Sequence, residues 1–211
     1  MLWLYVLSAI VSYLIGSINP AIILSNHLYR QDVRQMGSRN AGFTNFLRSF
    51  GHQYAWTVFF YDALKSTLTC AVFGGLFQHF LGLYHLGAAF SALFTMLGHV
   101  YPVWHNFQGG KGAAVMAAAI WFIDWRAATV VFVVFLPMIF LTRYMSLSVL
   151  CAAVTAPVTM LILGVENPWI IVLTALCVLF MIWKHRKNIQ RLISGTESRF
   201  TLKNQWRNNS K

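Results

Sequence analysis

The stretch Gly98-His-Val-Tyr-Pro-Val-Trp-His-Asn-Phe-Gln-Gly-Gly-Lys-Gly112 sets a glycine-rich turn with a single lysine between runs apolar enough to cross a membrane. A lysine in such a place calls for an anion. Gly109, Gly110 and Gly112 leave the main chain around Lys111 uncovered, so a phosphate can approach backbone N–H groups while the ammonium neutralises it. The turn is not a nucleotide-binding Walker loop. That pattern wants a glycine four residues before Gly110 and a Ser or Thr after Lys111, where His105 and Gly112 stand.

Outward from this turn the chain is overwhelmingly apolar. Of 211 residues, 58% are hydrophobic and 10% charged, far below the charged share of a soluble domain, so the bilayer is the solvent to which the sequence is matched. Runs suited to a hydrocarbon core of about 30 Å fall near 3–24, 54–78, 86–104, 110–124, 127–142, 147–164 and 168–183, the fourth being the shortest. The expectation is an all-α integral membrane protein with about seven transmembrane helices. It forms a single polytopic domain over 1–211, with 203–211 a flexible basic tail. No internal repeat and no Pro- or Ser-rich linker divides it. Met1-Leu-Trp-Leu-Tyr5 has no basic flank, so the first run reads as a retained span. Cys70, Cys151 and Cys177 lie inside apolar runs and read as packing residues.

Charge sets the expected orientation. Lys and Arg number 16 against 5 Asp and Glu, a formal charge of +11, and basic residues collect in cytoplasmic loops. Arg30, Arg34, Arg39 and Arg48 share the first connection, Lys111 the third and Arg143 the fifth, and 8 more follow the last span. Only Arg126, beside Asp124, falls in an opposite loop, and Lys65 sits inside the second span. The N-terminus is therefore expected outside and the C-terminus in the cytoplasm, with every polar, glycine-bearing segment on the inner face. A basic surface also suits nucleic acid, but apolar surroundings rank that partner below anionic lipid and anionic substrate, and no nucleic-acid partner is expected.

The polar islands differ in how far they point. The segment 32–48 is rich in donors, with Ser38, Thr44, Asn40, Asn45 and arginines set among Gly37 and Gly42. It reads either as a phosphate-binding loop or as a solvated connection that sets topology. Asp62 and Lys65 lie three residues apart on one helical face inside a span, as a functional or a structural ion pair. The run from Lys184 to Arg191 is a stop-transfer anchor or a catalytic contact, and Ser146 and Ser148 are helix-capping or site hydroxyls. The histidines lack carboxylate or thiol company and no HExxH appears, so no metal is expected. His27-Leu-Tyr-Arg-Gln-Asp32 fits the H-x4-D spacing of soluble acyltransferases, but a pattern with two fixed positions arises easily by chance.

Taken in order, the islands resemble the motifs of the bacterial acyl-phosphate:glycerol-3-phosphate acyltransferases, the PlsY family. Gly16-Ser-Ile-Asn-Pro20 is similar to its GSIP segment, and Gly37-Ser-Arg-Asn-Ala-Gly-Phe-Thr-Asn45 with Arg48 to its GSGNxGATNxxR loop. Asp62-Ala-Leu-Lys65 resembles D-x-L-K. The opening stretch resembles GHxFP with FKGGK, and Ser146-Leu-Ser148 resembles the SLSS turn. His185-Arg-Lys-Asn-Ile-Gln-Arg191 with Gly195-Thr-Glu197 resembles the closing RHRxNIxRL and GTE pattern. Arg39, Gln108, Val115 and Ser66 depart from the family residues at their positions.

The resemblance implies a multi-pass enzyme of the bacterial plasma (inner) membrane with its active site facing the cytoplasm. It implies transfer of a fatty acyl group from acyl phosphate to the sn-1 hydroxyl of glycerol 3-phosphate, giving lysophosphatidic acid and phosphate for phospholipid synthesis. Acyl phosphate, glycerol 3-phosphate and membrane lipids are then its partners, with no metal and no cofactor; no residue pattern sets an oligomeric state. Catalytic roles are implied for Ser38, Arg48, Lys111, Ser148 and Asn188. Substrate contacts are implied for Gly37, Asn40, Gly42, Thr44, Asn45, Lys65, His99, Gly109, Gly110, Gly112, Ser146, His185 and Arg191. In the expected mechanism Lys111 and the Gly109, Gly110 and Gly112 amides hold a phosphate, Ser38 and Arg48 position the donor or the developing oxyanion, and Asn188 with Ser146 or Ser148 completes the polar wall. A covalent route would instead activate Ser38 through His52 or His99. A transporter or channel for phosphorylated metabolites would also use Lys65 and Lys111 beside glycine-broken helices, but the outer loops near 79–85 and 166–168 carry little matching chemistry. A noncatalytic lipid-binding scaffold leaves the glycine islands without a purpose.

Overall fold

The computed structural model describes residues 1–201, and every regular element in them is helical. The basic tail expected at 203–211 lies outside the described residues. The helices are α1 (Leu2–Gly16), α2 (Pro20–Tyr29), α3 (Phe43–Phe50), α4 (Ala55–Leu81), α5 (Tyr84–Val100), α6 (Ala113–Ile123), α7 (Trp125–Thr142), α8 (Met145–Ile162), α9 (Pro168–Lys184) and α10 (Arg186–Ile193).

Each expected apolar run meets a helix, but not each helix is a span on its own. Among the described residues four stretches are long and apolar enough to cross a membrane: Leu2–Tyr29, Tyr84–His105, Trp125–Thr142 and Met145–Ile162. The pair Pro168–Lys184 and Arg186–Ile193, bent by 57°, makes a fifth if counted as one. α4 is about 40 Å long at 1.5 Å per residue, yet Asp62 and Lys65 interrupt its apolar character. α6 is 11 residues, about 16 Å, because 109–112 form an extended turn instead of the first helical turn expected from 110.

The first run is broken. Pro20 has no N–H and disfavours helical backbone at the residue before it, so α1 stops at Gly16. Asn19, extended at φ −106°, then starts α2 by accepting the Ile22 N–H at 3.1 Å. Three residues of unwound backbone inside a membrane need partners. Lys65 from α4 supplies them, its ammonium donating to the Gly16 carbonyl at 3.1 Å and the Ile18 carbonyl at 3.0 Å. The same ammonium sits 2.8 Å from Asp62 and 2.9 Å from His99 Nδ1, and His99 Nδ1 lies 3.2 Å from Asp62. The contact of Lys65 with Asp62 is an ion pair without hydrogen-bond alignment.

Contacts between helix ends show that the bundle alternates in direction. Trp3 packs edge-on against Phe80, the Tyr84 N–H donates to Gln78, and His85 Nδ1 approaches the Phe122 carbonyl, so the starts of α1 and α5 share one end with the finishes of α4 and α6. At the opposite end Tyr13 donates to the Tyr101 carbonyl at 2.7 Å, and Lys184 lies over the Tyr101 ring. Exposed tryptophans mark both ends, with Trp3, Trp125 and Trp169 on one and Trp56, Trp104 and Trp183 on the other, as interfacial aromatics do in membrane proteins.

α1 and α5 touch backbone to backbone. A Cβ on Gly16 would stand 2.2 Å from the Thr95 carbonyl oxygen, and one on Gly98 2.1 Å from that of Tyr13. Close approach through small residues is how helices associate where no hydrophobic force separates them from lipid. Gly98→Val is therefore expected to lower thermal stability in detergent by about 1–3 kcal/mol or more, read as a fall in the tryptophan-fluorescence melting temperature. Gly75→Ala, whose new methyl meets nothing within 4 Å, is expected to raise stability by about 0.5–1 kcal/mol.

Candidate active site

The turn carrying Lys111 is shaped by two backbone bonds. After Val100 the chain makes a short 3-10 turn at Val103–His105, passes through Asn106 and Phe107 in left-handed conformation (φ 55° and 56°), and doubles back. Gly109 N–H donates to the Val100 carbonyl at 3.1 Å and Gly110 N–H to the His99 carbonyl at 3.0 Å. Only glycine fits there, since a Cβ on Gly109 would stand 2.0 Å from the His99 carbonyl oxygen and one on Gly110 2.0 Å from His99 Nε2. This corrects the expectation that the Gly109 and Gly110 amides hold a phosphate, because both already have carbonyl partners. Gly112, at φ 87°, opens α6, whose first-turn N–H groups have no partner within the helix and carry the positive end of its dipole.

Lys111 faces the last polar segment. Its ammonium donates to Asn188 Oδ1, and Asn188 turns its amide nitrogen to Glu197 at 2.6 Å. Ser146 donates to the same Glu197 oxygen at 2.7 Å, and Arg191 Nε holds the other at 2.7 Å. Glu197 thus gathers α8, α10 and, through Asn188, the Lys111 turn. The segment after it runs back over α8, where Phe200 N–H bonds the Arg143 carbonyl at 2.6 Å and the Phe200 ring packs against the apolar cluster of α2, α3 and α4.

Electrostatics follow from this packing. Burial, reinforced by Arg191, Lys184 and Arg48, lowers the Lys111 pKa to about 8, with Glu197 opposing. Burial also lowers Arg48, which is within electrostatic reach of Glu197 and Arg191. For Glu197 burial acts upward, but the hydrogen bonds from Asn188, Ser146 and Arg191 outweigh it and hold the carboxyl below its ordinary value. Arg48, Lys111 and Arg191 around one carboxylate leave a surplus of positive charge, which is an unfilled demand for anions.

The Ser38 segment borders this cluster. Asn45, 1% exposed, donates to the Val33 and Met36 carbonyls at 3.0 Å each and accepts the Ser38 N–H at 2.8 Å. The side chain expected to contact substrate thus folds the loop that presents exposed Ser38. Gly37 is left-handed at φ 51°, and a Cβ there would meet Asn45 Oδ1 at 2.4 Å. Arg39 also has positive φ, 58°, which explains why the family pattern has glycine there and costs this chain about 1–2 kcal/mol. Asn40 and Thr44 are half-buried and Gly42 is buried, ahead of and within the first turn of α3. Arg48 stands in the last turn of that helix, which was expected to be loop and was missed because an eight-residue helix carries too little periodicity. The Ala41 carbonyl accepts from Asn19 at 3.2 Å and would lie 2.8 Å from a Cβ on Gly110, so the break in the first run, the Ser38 loop and the Lys111 turn meet at one point.

Lys65, His99 and Ser148 are expected positions set apart from the cluster, whereas His185 lies within electrostatic reach of Lys111 and Glu197. Lys65 and His99 belong to the buried group with Asp62, behind the glycines. Ser148 is buried and donates to the Tyr144 carbonyl at 2.9 Å, leaving Ser146 as the α8 hydroxyl that meets the charged residues. His185 is buried with Nδ1 2.8 Å from the Met181 carbonyl; a carbonyl only accepts, so Nδ1 carries the proton and Nε2 is left as an acceptor. His99, engaged by Asp62 and Lys65 on Nδ1 and backed by Gly110 on Nε2, is unavailable to activate Ser38. Glu197 is assigned no role by the sequence. Its signal was scarcity, as one of 5 acidic residues set in the basic end of a chain with charge +11.

Comparison with known proteins identifies the family. The sequence pattern of the family described as glycerol-3-phosphate acyltransferase matches residues 6–195. A glycerol-3-phosphate acyltransferase of Rhodopseudomonas palustris (strain BisB5) is 40% identical over 202 residues, covering 94% of this chain and 97% of the relative. One from Agrobacterium fabrum (strain C58 / ATCC 33970) is 38% identical over 200 residues, covering 95% and 94%. Among solved structures, PlsY, an integral membrane glycerol 3-phosphate acyltransferase, in its glycerol 3-phosphate form superposes with a TM-score of 0.84 at 31% identity over 93% of this chain and 96% of that one. Its lysophosphatidic acid form gives 0.80 at 29% identity over 94% and 96%. With pattern, relatives and fold in agreement over nearly the whole length, the chain belongs to the glycerol-3-phosphate acyltransferase family of integral membrane proteins.

Proposed function

We propose that this acyltransferase takes its acyl group from acyl phosphate and places it on the sn-1 hydroxyl of glycerol 3-phosphate, releasing lysophosphatidic acid and inorganic phosphate. The observation that carries the reading is the surplus of cations around Glu197 at one end of the bundle, with Lys111 held by Asn188 in its midst. Two phosphorylated substrates bring the negative charge that such a site lacks. Relatives solved in glycerol 3-phosphate and lysophosphatidic acid forms support the acceptor and the product.

An acyl phosphate is already an activated mixed anhydride, so the site needs chiefly to hold two anions together. Positioning of this kind supplies several kcal/mol of a barrier, of the order of 7 in well-oriented cases. The glycerol hydroxyl oxygen attacks the acyl carbon, the bond to the phosphate oxygen breaks, and the hydroxyl proton passes to the departing phosphate. Lys111 and the first-turn amides of α6 bind a phosphate, Arg191 and Arg48 share its charge, and Ser38 and Arg48 steady the donor or the oxyanion. Asn188 and Ser146 keep their polar groups aimed into the same space by their bonds to Glu197.

The topology that suits this chemistry has seven membrane crossings by α1, α4, α5, α6, α7, α8 and α9, with the N-terminus outside and the C-terminus in the cytoplasm of a bacterial inner membrane. Support comes from the alternation of helix ends and from the basic residues, which gather at the end carrying Lys111. At the other end Arg126 is paired with Asp124 at 2.8 Å.

Three outcomes test the reading. Purified protein given radiolabelled glycerol 3-phosphate is expected to form lysophosphatidate with acyl phosphate and not with acyl-CoA or acyl-carrier protein; product from acyl-CoA alone overturns the donor assignment. Lys111→Ala is expected to reduce kcat/KM by about 10²-fold or more, and near-normal turnover removes Lys111 from the site. Because the ammonium is the binding form and is present below its pKa, kcat/KM is expected to fall as pH rises through about 8. The corresponding limb in kcat should lie higher, since a bound phosphate stabilises the charged lysine.

A further inference from the structure

We propose that Arg34, aimed by Asp32, is a positioning residue that clamps the Lys111 turn against the first polar loop. The inference rests on the reading of that turn as an anion site and adds a part that none of the motif residues supplies. Arg34 Nη1 donates to the His105 carbonyl at 2.8 Å and the Gln108 carbonyl at 3.2 Å. Its Nε and Nη2 bind the Asp32 carboxylate at 3.0 Å and 2.7 Å, and Asp32 also accepts the Arg34 N–H at 2.8 Å to start the turn Val33–Gln35. The guanidinium is therefore fixed on one side by a carboxylate and grips two carbonyls on the other.

Those two carbonyls bracket Asn106 and Phe107, the left-handed pair that reverses the chain toward Lys111. Non-glycine side chains disfavour that backbone. Within the reversal the Phe107 N–H bonds the Pro102 carbonyl at 3.0 Å and the Gln108 N–H the His105 carbonyl at 3.3 Å, and Arg34 adds the hold from outside. Beyond the reversal, the turn is tied to α5 by the Gly109 and Gly110 N–H bonds. Without the clamp, the reversal relaxes and the base of Lys111 moves with it. Arg34 does not serve as a phosphate ligand in this arrangement, because four of its five N–H groups are already engaged. The clamp uses the Gln108 carbonyl and not its side chain, so the family's lysine at that position can change to glutamine without loss of the hold.

The test uses the full chain in nanodiscs, comparing Arg34→Ala, Arg34→Lys, Asp32→Ala and Lys111→Ala by steady-state kinetics and hydrogen–deuterium exchange. Arg34→Ala is expected to raise KM for glycerol 3-phosphate by about 10- to 10²-fold, with a smaller loss in kcat and faster exchange confined to 103–112. Arg34→Lys should not rescue, because one ammonium cannot span two carbonyls and a carboxylate. Asp32→Ala should give part of the effect and be non-additive with Arg34→Ala. Unchanged KM and exchange in Arg34→Ala, rescue by lysine, or faster exchange throughout the helices would each overturn the clamp. If Lys111→Ala stays active while Arg34→Ala loosens 103–112, the anion-site reading fails and the clamp stands. If Lys111→Ala is inactive and Arg34→Ala behaves as the unchanged protein, the clamp fails and the anion site stands.

Discussion

The buried contact of Lys65 with Asp62 and His99 is the constraint on which the rest of the molecule depends. An ammonium and a carboxylate inside a bilayer are tolerated only when they neutralise each other and when hydrogen bonds satisfy what remains. Here the remainder is satisfied by the Gly16 and Ile18 carbonyls, which are exposed because α1 ends before Pro20. Each feature requires the other. The break needs donors that lipid lacks, and the lysine needs acceptors that an intact helix does not offer.

From that point the order of the active site follows outward. His99 extends the buried group to the glycines of the Lys111 turn, which can lie against its ring and main chain only because they have no side chains. Asn19, at the same break, holds the Ala41 carbonyl of the Ser38 loop. Two loops distant in sequence are thus fixed against one buried pair of charges, and Arg34 joins them a second time at the surface. Side chains held in this way from two directions keep their geometry without relying on the mobility of a loop.

Glu197 performs the complementary task on the other side of Lys111. It is less acidic residue than scaffold, taking donors from Ser146, Asn188 and Arg191 and so orienting groups from two helices. Its single charge leaves the surrounding cations undercompensated, and those cations add to the larger effect of burial in lowering the Lys111 pKa. Complete neutralisation by more carboxylates would remove the positive field that this end of the bundle presents.

The sequence by itself determined that the chain is helical and membrane-embedded, where the apolar runs lie to within a few residues, and that glycines and basic residues gather in a few polar islands, Lys111 in one of them. These are properties of hydropathy and charge summed along the chain, so they are local and legible. Tertiary structure alone decided that the Gly109 and Gly110 amides bond to α5, that Asn45 folds its own loop, that Ser148 turns into its helix while Ser146 meets Glu197, and that Arg34 grips the turn. The physical reason is directional. A residue type states how many hydrogen bonds a group can make, but only the packed backbone fixes which partner stands within about 3 Å and in line.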